Sequence, residues 1–242
     1  MLRLDRATGA RHVVVLLLAV AALPFDAIIH DLTFRHVVTH EVRLAANGFT
    51  HLGTAWGGGG LLGALALAGY RAQDAALTRA SLGGLVGIAL GSVVDQVAKQ
   101  TVCRGRPGLL DGWGVDSPGT KGLDAAGRAA ARRFFHWPCL GESRFHSFPS
   151  GHATTAFTVA AALACAAPSR RRLWLLVAGG VGASRVLLNA HFVSDVLGGA
   201  AIGWWAAEAG MALAGRLTPV WVASVGWPAA VEADPRTGVS CR

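Results

Sequence analysis

The chain has 242 residues, of which 52% are hydrophobic and only 15% charged, with a formal net charge of +8. A soluble domain carries about 25% charged residues, so this composition excludes an ordinary water-soluble domain. The arginines that carry the charge stand between apolar runs rather than on a basic helix or an aromatic-rich platform. That sets nucleic acid aside as a partner and leaves membrane orientation and phosphate binding.

Apolar stretches recur at about 13–30, 52–70, 80–98, 151–168, 173–190 and 192–215. A membrane helix needs roughly 20 mainly apolar residues. The pattern predicts an all-α fold, a bundle of six transmembrane helices in a single domain over 1–242. Its core covers about 12–215, with an irregular tail over 216–242.

The first stretch follows Arg3, Arg6 and Arg11. Ala19-Val20-Ala21 has the small-residue pattern of a leader cleavage site, but the apolar run continues through Ile28 and Ile29, which argues for a retained helix. Pro24 and Asp26 are expected to kink or polarise it. In later stretches Gly87 with Gly91, and Gly199 with Gly203, have a spacing that lets membrane helices approach closely; the alternative is that they reflect a Gly-rich composition. The third and fourth stretches are separated by a long polar connection. It holds Cys103 and Cys139, which can pair if the loop is extracytoplasmic, and residues 124–135 form either a surface-lying helix or a solvated one. Arg170, Arg171 and Arg172 fill a very short connection, which places that end in the cytoplasm. By alternation the long loop lies on the opposite, extracytoplasmic side.

Three clusters lie where apolar stretches meet polar connections. Lys99 and Arg106, followed by Pro107, place two cations at one mouth of the bundle. Arginine suits phosphate because its planar fork donates two hydrogen bonds, although cations at a helix end also simply snorkel to water. Pro149-Ser150-Gly151-His152 opens the fourth stretch. Free N–H groups at a helix start favour an anion, and Gly151 permits close backbone approach; the plainer reading makes Ser150 a helix cap. Ser184-Arg185, His191 and Asp195 span the fifth junction. His191 and Asp195 are spaced to share a helix face, where the carboxylate can hold the imidazole in one tautomer and activate it as a nucleophile. Ionisable residues inside membrane segments are costly and mark function. Alternating passage brings all three clusters to one membrane face.

These residues resemble the three-part signature of the type 2 phosphatidic acid phosphatase family, K-x6-RP, PSGH and SR-x5-H-x3-D. Here they are Lys99, Arg106 and Pro107; Pro149, Ser150, Gly151 and His152; and Ser184, Arg185, His191 and Asp195. The resemblance implies a six-helix membrane bundle with both termini cytoplasmic. It implies that His191 attacks phosphorus, that Asp195 orients and charge-stabilises it, and that His152 protonates the leaving oxygen. Lys99, Arg106, Arg185, Ser150 and the Gly151 backbone would hold the phosphate, with no metal and no cofactor.

The expected partners are the bilayer and a lipid phosphate substrate, such as phosphatidate, phosphatidylglycerol phosphate, undecaprenyl pyrophosphate or a lipid A phosphate. The expected location is a bacterial inner membrane, with the site facing the periplasm or exterior. The alternatives are a lipid phosphotransferase with the same signature and a non-catalytic anion transporter. Asp95, one turn before Lys99, is expected to pair with it. His136 and His146 are either surface-loop histidines or headgroup contacts, and Trp204 and Trp205 are expected at a lipid-facing surface.

Overall fold

The computed structural model describes residues 6–110, 135 and 137–224. The segment 124–134 and His136 therefore lie outside the described residues. Helix α1 (Arg6–Ala22) passes through a short 3-10 turn that contains Pro24 into α2 (Asp26–His36), and together they supply a continuous apolar path over His12–Thr33. Helices α3 (His40–Thr50) and α4 (Ala55–Arg71) start at Thr39 and Thr54, whose side chains cap them, and they meet at an angle of 56°. Helix α5 (Ala75–Val102) is capped by Asp74 and ends at Cys103, which is in the left-handed region. A single turn, α6 (Pro107–Leu110), follows. Helices α7 (Gly151–Ala166), α8 (Arg171–Leu187) and α9 (Val193–Ser224) complete the chain. Helix α9 thus stays helical beyond residue 215, where an irregular tail was expected. The described residues form no strand, only an isolated bridge between Arg104 and Phe135.

Three helical paths are long and apolar enough to cross a membrane: His12–Thr33, Ala75–Val102 and Val193–Gly215. The bent α3–α4 pair makes a fourth if it is one span. Helices α7 and α8 have 16 and 17 residues, or about 25 Å of rise, which is less than the roughly 30 Å hydrocarbon core. The expectation of six spans is therefore met for three or four of them by length and apolarity. The difference lies at the helix ends: Ser150 caps α7 at one end, and the chain leaves helical geometry at Ala167 at the other. The outer surface is apolar, with Leu17 at 61%, Val93 at 64% and Leu176 at 74% exposure. Such a surface suits hydrocarbon rather than water.

Helices α5, α7 and α9 pack on one another at the centre; α4 lies against α5, α8 against α7, α1 against α9 and α3 against α8. The centre is filled by small side chains, among them Ala153, Ala160, Ala162 and Ala164 on α7, all buried. Lipid gives helices no hydrophobic reason to associate, so contact depends on close packing, which small residues permit. The Gly199 and Gly203 pair does this directly. A Cβ on Gly203 would lie 2.2 Å from the Thr154 carbonyl oxygen, and one on Gly199 would lie 2.4 Å from that of Ser150. Gly87 is similarly close, with its Cβ position 2.8 Å from the Ala206 oxygen. The Gly203→Val substitution is expected to force α7 and α9 apart and destabilise the bundle by about 1–3 kcal/mol, read as a lower melting temperature in detergent.

Candidate active site

The candidate site is built at one end of the bundle, where the last turn of α5, the first turn of α7, the last turn of α8 and the first turn of α9 meet. Lys99 comes from the last turn of α5. Its ammonium pairs with Asp95, one turn earlier, as expected from the spacing. The other Asp95 oxygen accepts from Thr154 Oγ1 at 3.3 Å, tying α5 to α7. Gly151 rests against this pair. A Cβ there would lie 3.0 Å from Asp95 Oδ2 and 3.2 Å from Lys99 Nζ, so the bare backbone is what lets the cation approach the start of α7.

Ser150 is the N-cap of α7, with its Oγ accepting from the Ala153 N–H at 3.5 Å. Its own N–H donates to the Asp195 carbonyl oxygen at 3.0 Å, which joins the starts of α7 and α9. The cap reading therefore describes the Ser150 side chain. The N–H groups of Gly151 and His152 belong to the unladdered first turn, the end of a helix that attracts anions. His152 lies within electrostatic reach of Lys99, Arg106, Arg185 and His191.

Arg106 is held by carbonyls on both sides, with Nε donating to Ser143 at 3.0 Å and Nη1 to Ala190 at 3.2 Å. Arg185 donates from Nη1 to Thr50 Oγ1 at 2.5 Å, so the end of α3 braces it. The Arg185 carbonyl accepts the N–H groups of Ala190 and His191 at 3.0 and 3.2 Å. One guanidinium and the imidazole thus come from a single tight turn. Five predicted residues, Lys99, Arg106, His152, Arg185 and His191, share one electrostatic neighbourhood.

The direct partner of His191 differs from the expected one. Nδ1 lies 2.7 Å from the Ser147 carbonyl oxygen and 3.8 Å from Asp195 Oδ2. A carbonyl only accepts, so Nδ1 carries the proton and Nε2 keeps the lone pair. Asp195 bears on the imidazole from ion-pair distance and reaches it through Ser147, whose Oγ donates to Asp195 Oδ2 at 2.5 Å. The same oxygen accepts the Phe192 N–H at 2.9 Å. Burial pushes the His191 imidazole down to about 4. The Asp195 carboxylate opposes this, while the Arg106 and Arg185 cations act with it.

Arg104 was passed over in the sequence because it falls inside the K-x6-RP spacing. It is only 2% exposed. Its Nη1 donates to Asp195 Oδ1 and to Ser194 Oγ, both at 2.6 Å, and its Nη2 donates to Asp26 Oδ2 at 2.7 Å. Asp26 also accepts the Ser194 N–H at 3.1 Å and the Ser194 hydroxyl. The guanidinium stacks over Phe192 at 4.4 Å. Asp26, read from the sequence as a possible kink, is therefore one of two carboxylates that hold a single arginine. The disulfide between Cys103 and Cys139 lies immediately beside it. His146 is buried rather than on the surface, and Trp204 donates to Glu208 at 2.8 Å instead of simply facing lipid. No group of three or more His, Cys, Asp or Glu among the described residues is placed to hold a metal.

Three cations, two imidazoles and a helix start meet at one mouth of a helical bundle, an arrangement of fixed positive charge chemically suited to an anion. The profile of the PAP2 superfamily matches residues 81–219, more than half of the chain, and the chain belongs to that superfamily. It is similar to the lipid A 1-phosphatase of Rhizobium johnstonii, at 40% identity over 87 residues, which are 34% of this chain and 36% of that protein. It is also similar to the lipid A 1-phosphatase of Rhizobium etli, at 39% identity over 87 residues, 34% of this chain and 38% of that protein. The matched region thus spans little more than a third of these curated relatives. No solved structure matches.

Replacing Arg104 with Gln leaves two buried carboxylates without their shared cation. The expected loss is about 3–5 kcal/mol of stability, measured by unfolding in detergent, with Lys99→Gln as a milder comparison. The depressed His191 value predicts a neutral imidazole throughout pH 5–8, with the charged form appearing only as pH falls through about 4. Nitrogen NMR of histidine-labelled protein, with His191 assigned from its absence in His191→Ala, checks this; a midpoint between 6 and 7 would contradict the burial argument.

Proposed function

We propose that the chain is an integral membrane phosphatase that hydrolyses a lipid or polyprenyl phosphate or pyrophosphate through a phosphohistidine intermediate, without a metal. The observation that carries this reading is the state of His191. Its Nδ1–H is committed to the Ser147 carbonyl at 2.7 Å, which leaves Nε2 as a neutral nucleophilic nitrogen among the cations Lys99, Arg106 and Arg185.

In the first step His191 Nε2 forms a bond to phosphorus as the bond to the leaving oxygen breaks. His152 gives that oxygen its proton, which it holds once the phosphate's negative charge offsets the cations around the imidazole. The imidazole becomes cationic as the P–N bond forms, and the Asp195 carboxylate at 3.8 Å stabilises that charge. In the second step water attacks phosphorus, His152 takes its proton, and the P–N bond breaks to release phosphate and restore neutral His191. The cations and the α7 start hold the phosphoryl oxygens in both steps, which is where most of the acceleration of phosphoryl transfer arises.

The superfamily and the lipid A 1-phosphatase relatives support a lipid phosphate as substrate, and lipid A is the first of the four candidate lipids to test. The Cys103–Cys139 disulfide supports an oxidising compartment on the site side, and Arg170–Arg172 support a cytoplasmic position for the opposite end. Together they favour an inner membrane location with the site facing the periplasm or exterior.

Purified protein is expected to release phosphate from at least one of lipid A, phosphatidate, phosphatidylglycerol phosphate and undecaprenyl pyrophosphate in the presence of EDTA. His191→Ala should abolish turnover with the fold retained, read as a cooperative melting transition in detergent. A denaturing quench with labelled lipid phosphate should trap an acid-labile, base-stable phosphoryl group in wild type only. Activity that vanishes on chelation and returns with added metal would rule out the metal-free route.

A further inference from the structure

A cavity of about 230 Å³ opens beside the cluster, between the start of α4, the upper part of α5 and the first turn of α7. His152 and Asp95 form part of its wall, so it is continuous with the residues that surround the phosphate. The rest of its polar lining comes from Thr54, Ser92, Gln96, Thr154 and Thr155. The break between α3 and α4 shapes one side, where Thr54 is extended rather than helical.

Ser92 and Gln96 are one turn apart on α5 and share a face. Both are exposed, and neither side chain has a hydrogen-bond partner among the described residues. They sit on a helix long and apolar enough to cross a membrane. An amide and a hydroxyl without partners are costly against hydrocarbon, and polar groups at such positions usually face a cavity that serves function. This pair faces such a cavity, and hydroxyl and amide groups can each donate and accept.

We propose that this cavity is the subsite for the leaving alcohol of the substrate, and that it takes a headgroup rich in hydroxyl or amide groups, such as an acylamino sugar. The proposal rests on the phosphatase reading. A proton donor must lie within about 3 Å of the oxygen it protonates. The leaving oxygen therefore sits at His152, and whatever it carries continues into the space that His152 itself lines. The volume exceeds the roughly 150 Å³ of a protein cavity that accepts benzene, which is room for one ring and its substituents. A hydrocarbon leaving group would instead leave the Gln96 amide and the Ser92 hydroxyl unpaired.

The test compares kcat/KM for two substrates in detergent: lipid A, whose phosphate is carried by an acylamino sugar, and a polyprenyl phosphate, whose leaving group is hydrocarbon. Gln96→Leu removes the amide at similar volume, and Ser92→Ala is a smaller change that guards against a folding defect in the first. The ratio of kcat/KM for the sugar lipid over the prenyl lipid is expected to fall about tenfold in Gln96→Leu and in the same direction in Ser92→Ala. A ratio within threefold of wild type in both variants overturns the subsite while leaving the phosphatase reading intact; a larger fall in either supports it. Wild-type protein that turns over the prenyl lipid but not the sugar lipid also overturns the subsite, and release of phosphate from neither of these nor from the other candidate lipids overturns the phosphatase reading, and the subsite with it.

Discussion

The site depends on one buried guanidinium. Arg104 binds Asp26 at the start of α2 and Asp195 at the start of α9, with Ser194 completing the set. Charges removed from water are tolerated only when they are paired. Here two carboxylates, from residues far apart in the chain, pair with one cation through its two terminal nitrogens, while its Nε has no hydrogen-bond partner among the described residues. That arrangement fixes where α9 begins, and α9 begins with the residues that frame the imidazole. Ser147 then carries the constraint to the imidazole. Its hydroxyl is fixed by Asp195 and its carbonyl takes the His191 proton. The charge of Asp195 is thus compensated by Arg104 rather than by a direct hydrogen bond from the imidazole.

Around this anchor the bundle separates two kinds of positive charge. Arg104 is consumed by structure. Lys99, Arg106 and Arg185 are each steadied by only one or two contacts, to Asp95, to the carbonyls of Ser143 and Ala190, and to Thr50 respectively. Fixed but incompletely neutralised cations are what an anion site needs, because their charge is held in place before a ligand arrives. Bare glycine backbones serve the same end. At Gly151 the chain is thin enough for Lys99 to reach the helix start, and at Gly199 and Gly203 it lets α9 press against α7, the helix that carries His152.

Much of this was legible in the sequence. The signature residues could be read because they match, in order, the three-part pattern of the family they resemble, and the Lys99–Asp95 pair followed from a four-residue spacing alone. Cys103 and Cys139 could be read as a possible pair from their place in one polar connection. Arg104 and Asp26 were not legible as partners, since a pairing across 78 residues leaves no local pattern. A signal did exist: Asp26 is a carboxylate inside an apolar run, which demands a partner, and reading it as a residue that kinks or polarises the helix left that partner unnamed. Ser147 escaped notice because its carbonyl, which any residue could supply, is the group that binds His191. The six-span expectation outran the structure because a run of apolar residues does not show where a cap such as Ser150 will end the helix.

The pairing of Asp26 with Arg104 has a consequence for how the protein is made. A growing chain contains Asp26 long before Arg104 has been synthesised, so the carboxylate at the start of α2 is made before its counter-ion exists. The contact that ties α2 to this guanidinium can therefore form only once α5 has been translated in full.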